Sequence, residues 1–154
     1  MTEPGETLSA FKLISLPDDD VYCPERLEKM CAKMDSLDDS WGACYTGYVK
    51  HQANGTEQYS SESVEGDVFV QALMRSFYIG TGSNLFFRRS VIEDIVLFDE
   101  TFKRNQDLEY IVRVLKKYKI AFQMTQSMFC SMPFPSKEWD ETCRPYASKI
   151  RNVR

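Results

Sequence analysis

Apolar residues recur at strand-like and helical spacings in alternating segments along the first half of the chain. Residues 11–16 form a short apolar run that is typical of a strand. Residues 24–37 predict a helix, and its apolar stripe consists of Leu27, Met30, Cys31 and Met34. A further strand is predicted over residues 41–51, followed by a hairpin turn at Asn54-Gly55 and a polar loop at residues 58–63.

The second half continues the alternation. Residues 66–78 predict a helix whose inward face consists of Phe69, Ala72, Leu73 and Phe77. After a Gly80-Thr81-Gly82 hinge, residues 85–88 predict a strand and a capping box at residues 90–93 predicts a short helix. A helix ending near Tyr118 carries a stripe of Leu108, Ile111, Val112 and Leu115, and residues 120–124 predict a buried strand. This order predicts an α/β sandwich, with helices packed on a mixed sheet.

Asp107 lies where the last of these helices begins. With Asn105 as the predicted N-cap, Asp107 falls in the first turn, where free backbone N–H groups and the helix dipole favour an ionised carboxylate. A charged carboxylate on a rigid element facing a cleft meets the requirements of a general base. The alternative is an aspartate that only stabilises its own helix.

Three adjacent carboxylates, Asp18, Asp19 and Asp20, follow the first predicted strand. Neighbouring carboxylates repel one another and need a cation, hydrogen-bond donors or water. Mg²⁺ and Mn²⁺ prefer oxygen ligands and keep substrate phosphates in their shell, and ligands of α/β sheets gather at the carboxyl ends of strands. The triplet therefore predicts a platform for a metal and a diphosphate, and the alternative is a solvated turn before a helix.

Three ordered blocks of the sequence resemble family 2 glycosyltransferases with the GT-A fold. Residues 18–27, Asp-Asp-Asp-Val-Tyr-Cys-Pro-Glu-Arg-Leu, are similar to the family's acidic motif and the aromatic-x-Pro-x-x-Leu helix after it. Residues 82–89 resemble the strand before the acceptor-side helix, and residues 98–109 resemble the FDE and (E/Q)D-W-(D/E) segment. The resemblance implies inverting transfer from a nucleotide-diphosphate sugar to a saccharide or lipid-linked acceptor, in surface or capsular polysaccharide synthesis.

The resemblance also implies roles for individual residues. Asp107 matches the catalytic base that deprotonates the acceptor hydroxyl. Asp18 and Asp19 are expected to bind the nucleotide, and Asp19 and Asp20 to hold the divalent metal, Mn²⁺ or Mg²⁺. Arg88 is a candidate to steady a phosphate, unless it is solvated or salt-bridged. The sequence departs from the family's pattern at two positions. Pro17 stands where many members carry another Asp, and Leu108 replaces the usual Trp.

Residues 1–130 are accordingly expected to form a partial GT-A domain, and residues 131–154 a tail that is helical in part. The family's opening β-α-β segment, which holds the nucleotide base, has no counterpart ahead of the acidic strand. The alternative to an enzyme is therefore a non-catalytic remnant, or a subunit whose nucleotide site another chain completes. A sheet edge without its neighbouring strands predicts a homodimer.

The amino-acid composition limits the classes of partner that the chain is expected to bind and indicates its cellular compartment. The chain of 154 residues is long enough for a core, and its net charge of −4 argues against nonspecific nucleic-acid binding. Basic residues concentrate after residue 102, either as a solvated face or as a weak contact with an anionic membrane leaflet. Five cysteines without CxxC spacing argue against zinc and, being odd in number, predict reduced thiols in the cytoplasm. If the basic residues contact a membrane, the contact is expected to be peripheral and at its inner face.

Overall fold

A computed structural model of the chain describes residues 11–13, 25–52, 54–60, 62–80, 82–95 and 98–124. Its helices are α1 (Arg26–Asp35), α2 (Phe69–Leu73), α3 (Arg89–Asp94) and α4 (Gln106–Leu115). Its strands are β1 (Phe11–Leu13), β2 (Trp41–Thr46), β3 (Val49–His51), β4 (Glu57–Tyr59), β5 (Phe86–Arg88) and β6 (Lys119–Gln123). A 3₁₀ turn at Gly82–Asn84 precedes β5.

The main sheet has four strands in the order β1-β5-β2-β6. β5 is antiparallel to both β1 and β2, whereas β6 is parallel to β2. Consequently β1, β2 and β6 run in the same direction and end at one edge of the sheet, where β5 begins. We call this edge the carboxyl edge and the opposite one the amino edge. The α/β class with a mixed sheet, predicted from the alternation of elements, is confirmed.

Helices cover both faces of this sheet. Because side chains alternate across a strand, Cys44, Phe86 and Ala121 face α1, where they pack with Met30 and Met34. The intervening residues of the same strands face the other helices in a larger cluster that includes Ala43, Tyr45, Phe87, Ile111 and Ile120. The central strand β2 is buried from Gly42 to Thr46, as expected for a strand covered on both sides.

The hairpin prediction is confirmed, but its strands differ from the expected ones. β3 and β4 form a separate two-stranded antiparallel sheet, so residues 41–51 make two strands rather than one. Gln52 and Thr56 close the turn, in which Gly55 takes a positive φ of 81°. The predicted polar loop at residues 58–63 is wrong at its start, because Gln58 and Tyr59 pair in β4.

The helix predicted over residues 66–78 is also too long, because α2 has only five residues. The chain leaves the helix through Arg75, whose left-handed φ of 58° is incompatible with a continuing α-helix. Ala72 and Phe77 are buried as predicted, but Leu73 is 59% exposed. The predicted capping box is wrong as well, since α3 begins at Arg89 and Ser90 lies inside it.

The helix that carries Asp107 and the last strand follow the predictions more closely. α4 begins after Asn105, the predicted N-cap, which has a left-handed φ of 58° and makes no side-chain cap hydrogen bond. Ile111 and Leu115 are buried, whereas Leu108 and Val112 are only half-buried. Residues 14–24, which include the acidic triplet, and residues 125–154 lie outside the described residues.

The longest helices in the described ranges have ten residues each, and none of them is long and apolar enough to cross a bilayer.

Cys44 provides a test of the packing between α1 and the sheet. Its side chain is fully buried, and burial raises the pKa of its thiol to about 12. Since the thiolate is the reactive form, we expect iodoacetamide at mildly alkaline pH to leave Cys44 unmodified in the native protein and to alkylate it in urea. Peptide mass spectrometry measures both states, and rapid alkylation of Cys44 in the native protein would contradict the packing described.

Candidate active site

Asp107 packs against the 3₁₀ turn that leads into β5. A Cβ atom added to Gly82 would lie 3.1 Å from the Cβ of Asp107 and 3.4 Å from its Oδ2. The absence of a side chain at Gly82 therefore allows this close approach, and the carboxylate lies beside the backbone of the turn. Asp107 itself is half-buried in the first turn of α4. Because the turn precedes β5, Asp107 is at the carboxyl edge of the sheet.

The strand that precedes the acidic segment in sequence, β1, ends at the same edge. Leu13, the last residue of β1, pairs with Phe86, the first residue of β5. Asn84, the last residue of the 3₁₀ turn, is only two positions before Phe86. The chain that continues toward Asp18, Asp19 and Asp20 thus starts from the edge where Asp107 lies. These three aspartates are outside the described residues, and their proximity to Asp107 stays a prediction.

A buried hydrogen-bond network connects this edge to the core, with the side chain of Asn84 at its centre. Its Oδ1 accepts hydrogen bonds from Arg26 Nη2 at 3.0 Å, Thr46 N at 3.2 Å and Thr46 Oγ1 at 3.1 Å. Its Nδ2 donates to the carbonyl oxygens of Thr46 at 2.8 Å and Ile79 at 3.0 Å. The network therefore joins the end of β2, the start of α1 and the 3₁₀ turn.

Arg26 holds the first turn of α1 against the same 3₁₀ turn. Its guanidinium also donates to the carbonyl oxygens of Ser83 at 3.4 Å and Asn84 at 3.0 Å, and only 2% of the residue is exposed. Burial of a guanidinium is costly, and the hydrogen bonds of its two Nη atoms offset much of that cost here. The start of α1, six residues after Asp20, is thus held at the carboxyl edge. Sequence analysis did not assign a role to Arg26 or Asn84, because nothing local marks these polar residues as buried.

The two glycines of the predicted hinge serve close packing. Gly80 has a positive φ of 85°, and a Cβ atom there would overlap the ring of Tyr48. The hydroxyl of Tyr78 donates to the carbonyl oxygen of Gly80 at 3.3 Å. The missing side chain at Gly80 therefore leaves room for the ring of Tyr48. Two residues later, the missing side chain at Gly82 leaves room for Asp107.

The FDE segment connects the loop before α4 to the core. The ring of Phe98 packs on that of Tyr110, with 5.6 Å between centroids. Asp99 Oδ1 accepts hydrogen bonds from Thr101 N at 2.9 Å and Thr101 Oγ1 at 2.6 Å, and these bonds hold the pKa of its carboxyl below the usual range. This acid therefore closes its own turn, while Phe98 packs the segment before α4 against the core.

Arg88 lies at the other end of β5, since it pairs with Phe11 at the amino edge. Its Nε donates to the carbonyl oxygen of Trp41 at 2.8 Å, and its Nη2 donates to those of Met34 at 2.6 Å and Leu37 at 3.0 Å. These bonds clamp the end of α1 to the start of β2. A role for Arg88 at a phosphate stays a prediction, and its geometry favours a structural role.

Within the described ranges, no group of three or more His, Cys, Asp or Glu side chains is arranged to hold a metal ion. The aspartates expected to do so, Asp19 and Asp20, lie outside these ranges, and metal binding stays a prediction. Three adjacent carboxylates nevertheless supply the oxygen donors that Mn²⁺ and Mg²⁺ prefer.

Comparison with known proteins does not assign the chain to a family. No protein-family model matches it, and a search of curated proteins finds no significantly similar sequence. The fold and the site together define an α/β protein with a mixed sheet and a carboxylate at its carboxyl edge.

The Asn84 network predicts a large loss of stability on substitution. Asn84→Ala removes the partners of buried groups on Arg26, Thr46 and Ile79, and each buried group left unsatisfied costs about 1–3 kcal/mol. We expect the free energy of unfolding in urea to fall by about 3 kcal/mol.

Asn54→Ala is the matched control. The side chain of Asn54 is exposed and, among the described residues, accepts hydrogen bonds only from Thr56 in its own turn, so its loss should cost about 1 kcal/mol or less. Equal losses in the two variants would contradict the central position of Asn84.

Proposed function

We propose that this chain is an inverting glycosyltransferase of the family 2, GT-A type, or the acceptor-side part of one. It would transfer a sugar from a nucleotide-diphosphate sugar to a saccharide acceptor. The observation that carries the proposal is the packing of Asp107 on Gly82 at the edge where β1, the strand that precedes the acidic segment in sequence, ends. The order of the three sequence blocks adds support.

In this proposal Asp107 acts as the general base. Its carboxylate accepts the proton of an acceptor hydroxyl while the hydroxyl oxygen attacks the anomeric carbon of the donor sugar. The bond from that carbon to the diphosphate oxygen breaks, and the diphosphate leaves with the electron pair. Base assistance of this kind typically contributes a factor of about 10²–10⁴ in rate.

The packing of α4 suits this role, because a base must be held in a fixed position. Tyr110, Ile111, Val114 and Leu115 are all buried in the main core. These contacts hold the helix along its length, and the contact with Gly82 positions its first turn. The carboxylate of Asp107 therefore lies on a rigid element.

Asp18, Asp19 and Asp20 complete the proposed site. Asp18 and Asp19 would bind the nucleotide, and Asp19 and Asp20 would hold Mn²⁺ or Mg²⁺. A divalent ion supplies Lewis-acid neutralisation of the departing diphosphate. The donor set fits such an ion, since it consists of carboxylate oxygens.

A second candidate is a non-catalytic protein, or a subunit whose nucleotide site another chain completes. It is favoured by the position of β1 at the end of the strand order. On the opposite side of the sheet, β6 is bridged by Gly66, whose N and O both bond to Ile120. Among the described residues no strand pairs with the outer side of β1, so that edge is a candidate for pairing with a second copy.

Asp107→Asn tests the proposed base. Asparagine keeps the shape of the side chain but does not accept the proton, so transfer should fall by a factor of about 10²–10⁴ while the fold is retained. The measurement is release of nucleoside diphosphate from a panel of nucleotide sugars with saccharide acceptors, together with circular dichroism.

Asp94→Asn is the matched control, because Asp94 bonds to Lys117 and Tyr118 beyond the other end of α4. It should leave transfer unchanged. Full turnover in Asp107→Asn would remove Asp107 from the mechanism.

Calorimetry with uridine diphosphate and Mn²⁺ distinguishes the two candidate functions. The enzyme should release or absorb heat on binding, and Asp19→Asn or a chelator should abolish that heat, because Asp19 would hold the ion that neutralises the diphosphate. Absence of heat at millimolar ligand would favour the non-catalytic candidate.

A further inference from the structure

A groove with a volume of about 410 Å³ runs along α4, between this helix and the segment from α2 to Ile79. Its apolar lining includes Leu73, Phe77, Tyr78, Phe102, Leu108 and Val112. The charged residues along it are Arg75, Arg104, Glu109 and Arg113. Asp107 is not part of the lining, so the groove is a separate feature from the candidate active site.

The apolar part of the groove is accessible to a ligand. Tyr78 is 61% exposed and Phe102 is 45% exposed. On the adjoining surface of α2, Val70 is exposed too. Large apolar side chains that are exposed together, rather than singly, mark a binding surface. The exposure of Leu73, which contradicts the inward face predicted for residues 66–78, is explained by its position along this groove.

The charges of the groove leave an excess of two positive groups. Arg113 binds Glu109 through two bonds, one of them 2.8 Å from Nη2 to Oε2, so these two charges cancel. The guanidinium groups of Arg75 and Arg104 make no ion pair or hydrogen bond within the described part of the chain. The groove therefore offers two guanidinium groups beside an apolar floor.

A ligand that matches this surface has an apolar body and a doubly negative head. A phosphate monoester carries a charge of about −1.5 to −2 near pH 7, and guanidinium groups bind phosphate oxygens in a bidentate geometry. The volume lies within the usual range of about 300–1,000 Å³ for small-molecule sites.

We propose that this groove binds a single-chain alkyl phosphate, with its chain on Tyr78, Phe102 and Leu108 and its phosphate at Arg75 and Arg104. Binding excludes water from the half-buried stripe of α4, which stabilises the complex in proportion to the apolar area covered. The guanidinium groups select a phosphate over an uncharged head.

The groove adjoins the elements that hold Asp107. Asn105, which lines it, is the N-cap of α4, and Tyr78 donates to Gly80 in the segment that leads to Gly82. A ligand in the groove would therefore lie beside the first turn of α4.

Calorimetry with dodecyl phosphate below its micelle concentration tests the groove. We expect saturable binding to the whole chain, weakened about tenfold or more in the double variant Arg75→Gln/Arg104→Gln, because the phosphate then loses both guanidinium partners and their charge-assisted hydrogen bonds. Leu73→Ser, an exposed position, should weaken binding without unfolding the protein. Arg89→Gln, on α3 and outside the groove, is the matched control and should bind as the unmodified chain does.

Three further probes can overturn the proposal. Inorganic phosphate binding as tightly as dodecyl phosphate would show a simple anion site, and dodecyl maltoside binding equally well would show adsorption on apolar surface alone. Dodecanoate at the same affinity would remove the selection for a doubly charged head. Unchanged affinity in the double arginine variant would also contradict it.

Failure of the groove proposal can be distinguished from failure of the proposed function. Asp107→Asn should bind dodecyl phosphate normally, because Asp107 does not line the groove. Normal binding together with undiminished transfer in that variant would overturn the base and leave the groove intact. Loss of dodecyl phosphate binding in this variant, with the fold retained, would contradict the separation of the two sites.

Discussion

The five hydrogen bonds of the Asn84 side chain are the constraint on which the carboxyl edge of the sheet depends. They join β2, the start of α1 and the segment before β5, three elements that are far apart in sequence. Because the amide is buried, water cannot replace these hydrogen bonds. The loss of any one of them would leave a buried polar group without a partner. The network therefore sets the path of the 3₁₀ turn, and through Gly82 it sets the position of the first turn of α4.

The position of Asp107 results from two independent contacts of α4. The buried face of the helix packs on the sheet, with the ring of Tyr110 against that of Phe87 at 5.4 Å. Its first turn packs on Gly82, where any side chain would crowd the carboxylate. A carboxylate on a helix that is fixed by two contacts has few alternative positions, and a group that transfers protons efficiently needs such a fixed position.

One helix thus contributes to two different features. Asp107 faces the 3₁₀ turn, whereas Leu108 and Val112 line the groove. Residues of a helix that are one position apart point about 100° away from each other, so neighbouring residues can serve separate surfaces. A ligand in the groove and a reacting group at Asp107 would be positioned by the same rigid element.

The sequence by itself determined the features that depend on local periodicity. The stripe of α1, a strand beginning at Trp41, the Asn54-Gly55 turn and the start of α4 after Asn105 follow from spacing and turn chemistry within a few residues. The prediction of an α/β class with a mixed sheet follows from the order of these elements. The candidacy of Asp107 came from the same local pattern and from the family resemblance.

Only the tertiary structure decided the features that depend on distant partners. The burial of Arg26 requires carbonyl groups 57 and 58 positions away, and the clamp formed by Arg88 requires carbonyls 47 to 54 positions away. The early end of α2 before Arg75 and the separation of β2 from β3 likewise contradict the continuous patterns seen in sequence. Hydrophobic spacing reports which side of an element is apolar, but a polar residue becomes buried only where the folded chain supplies hydrogen-bond partners for it.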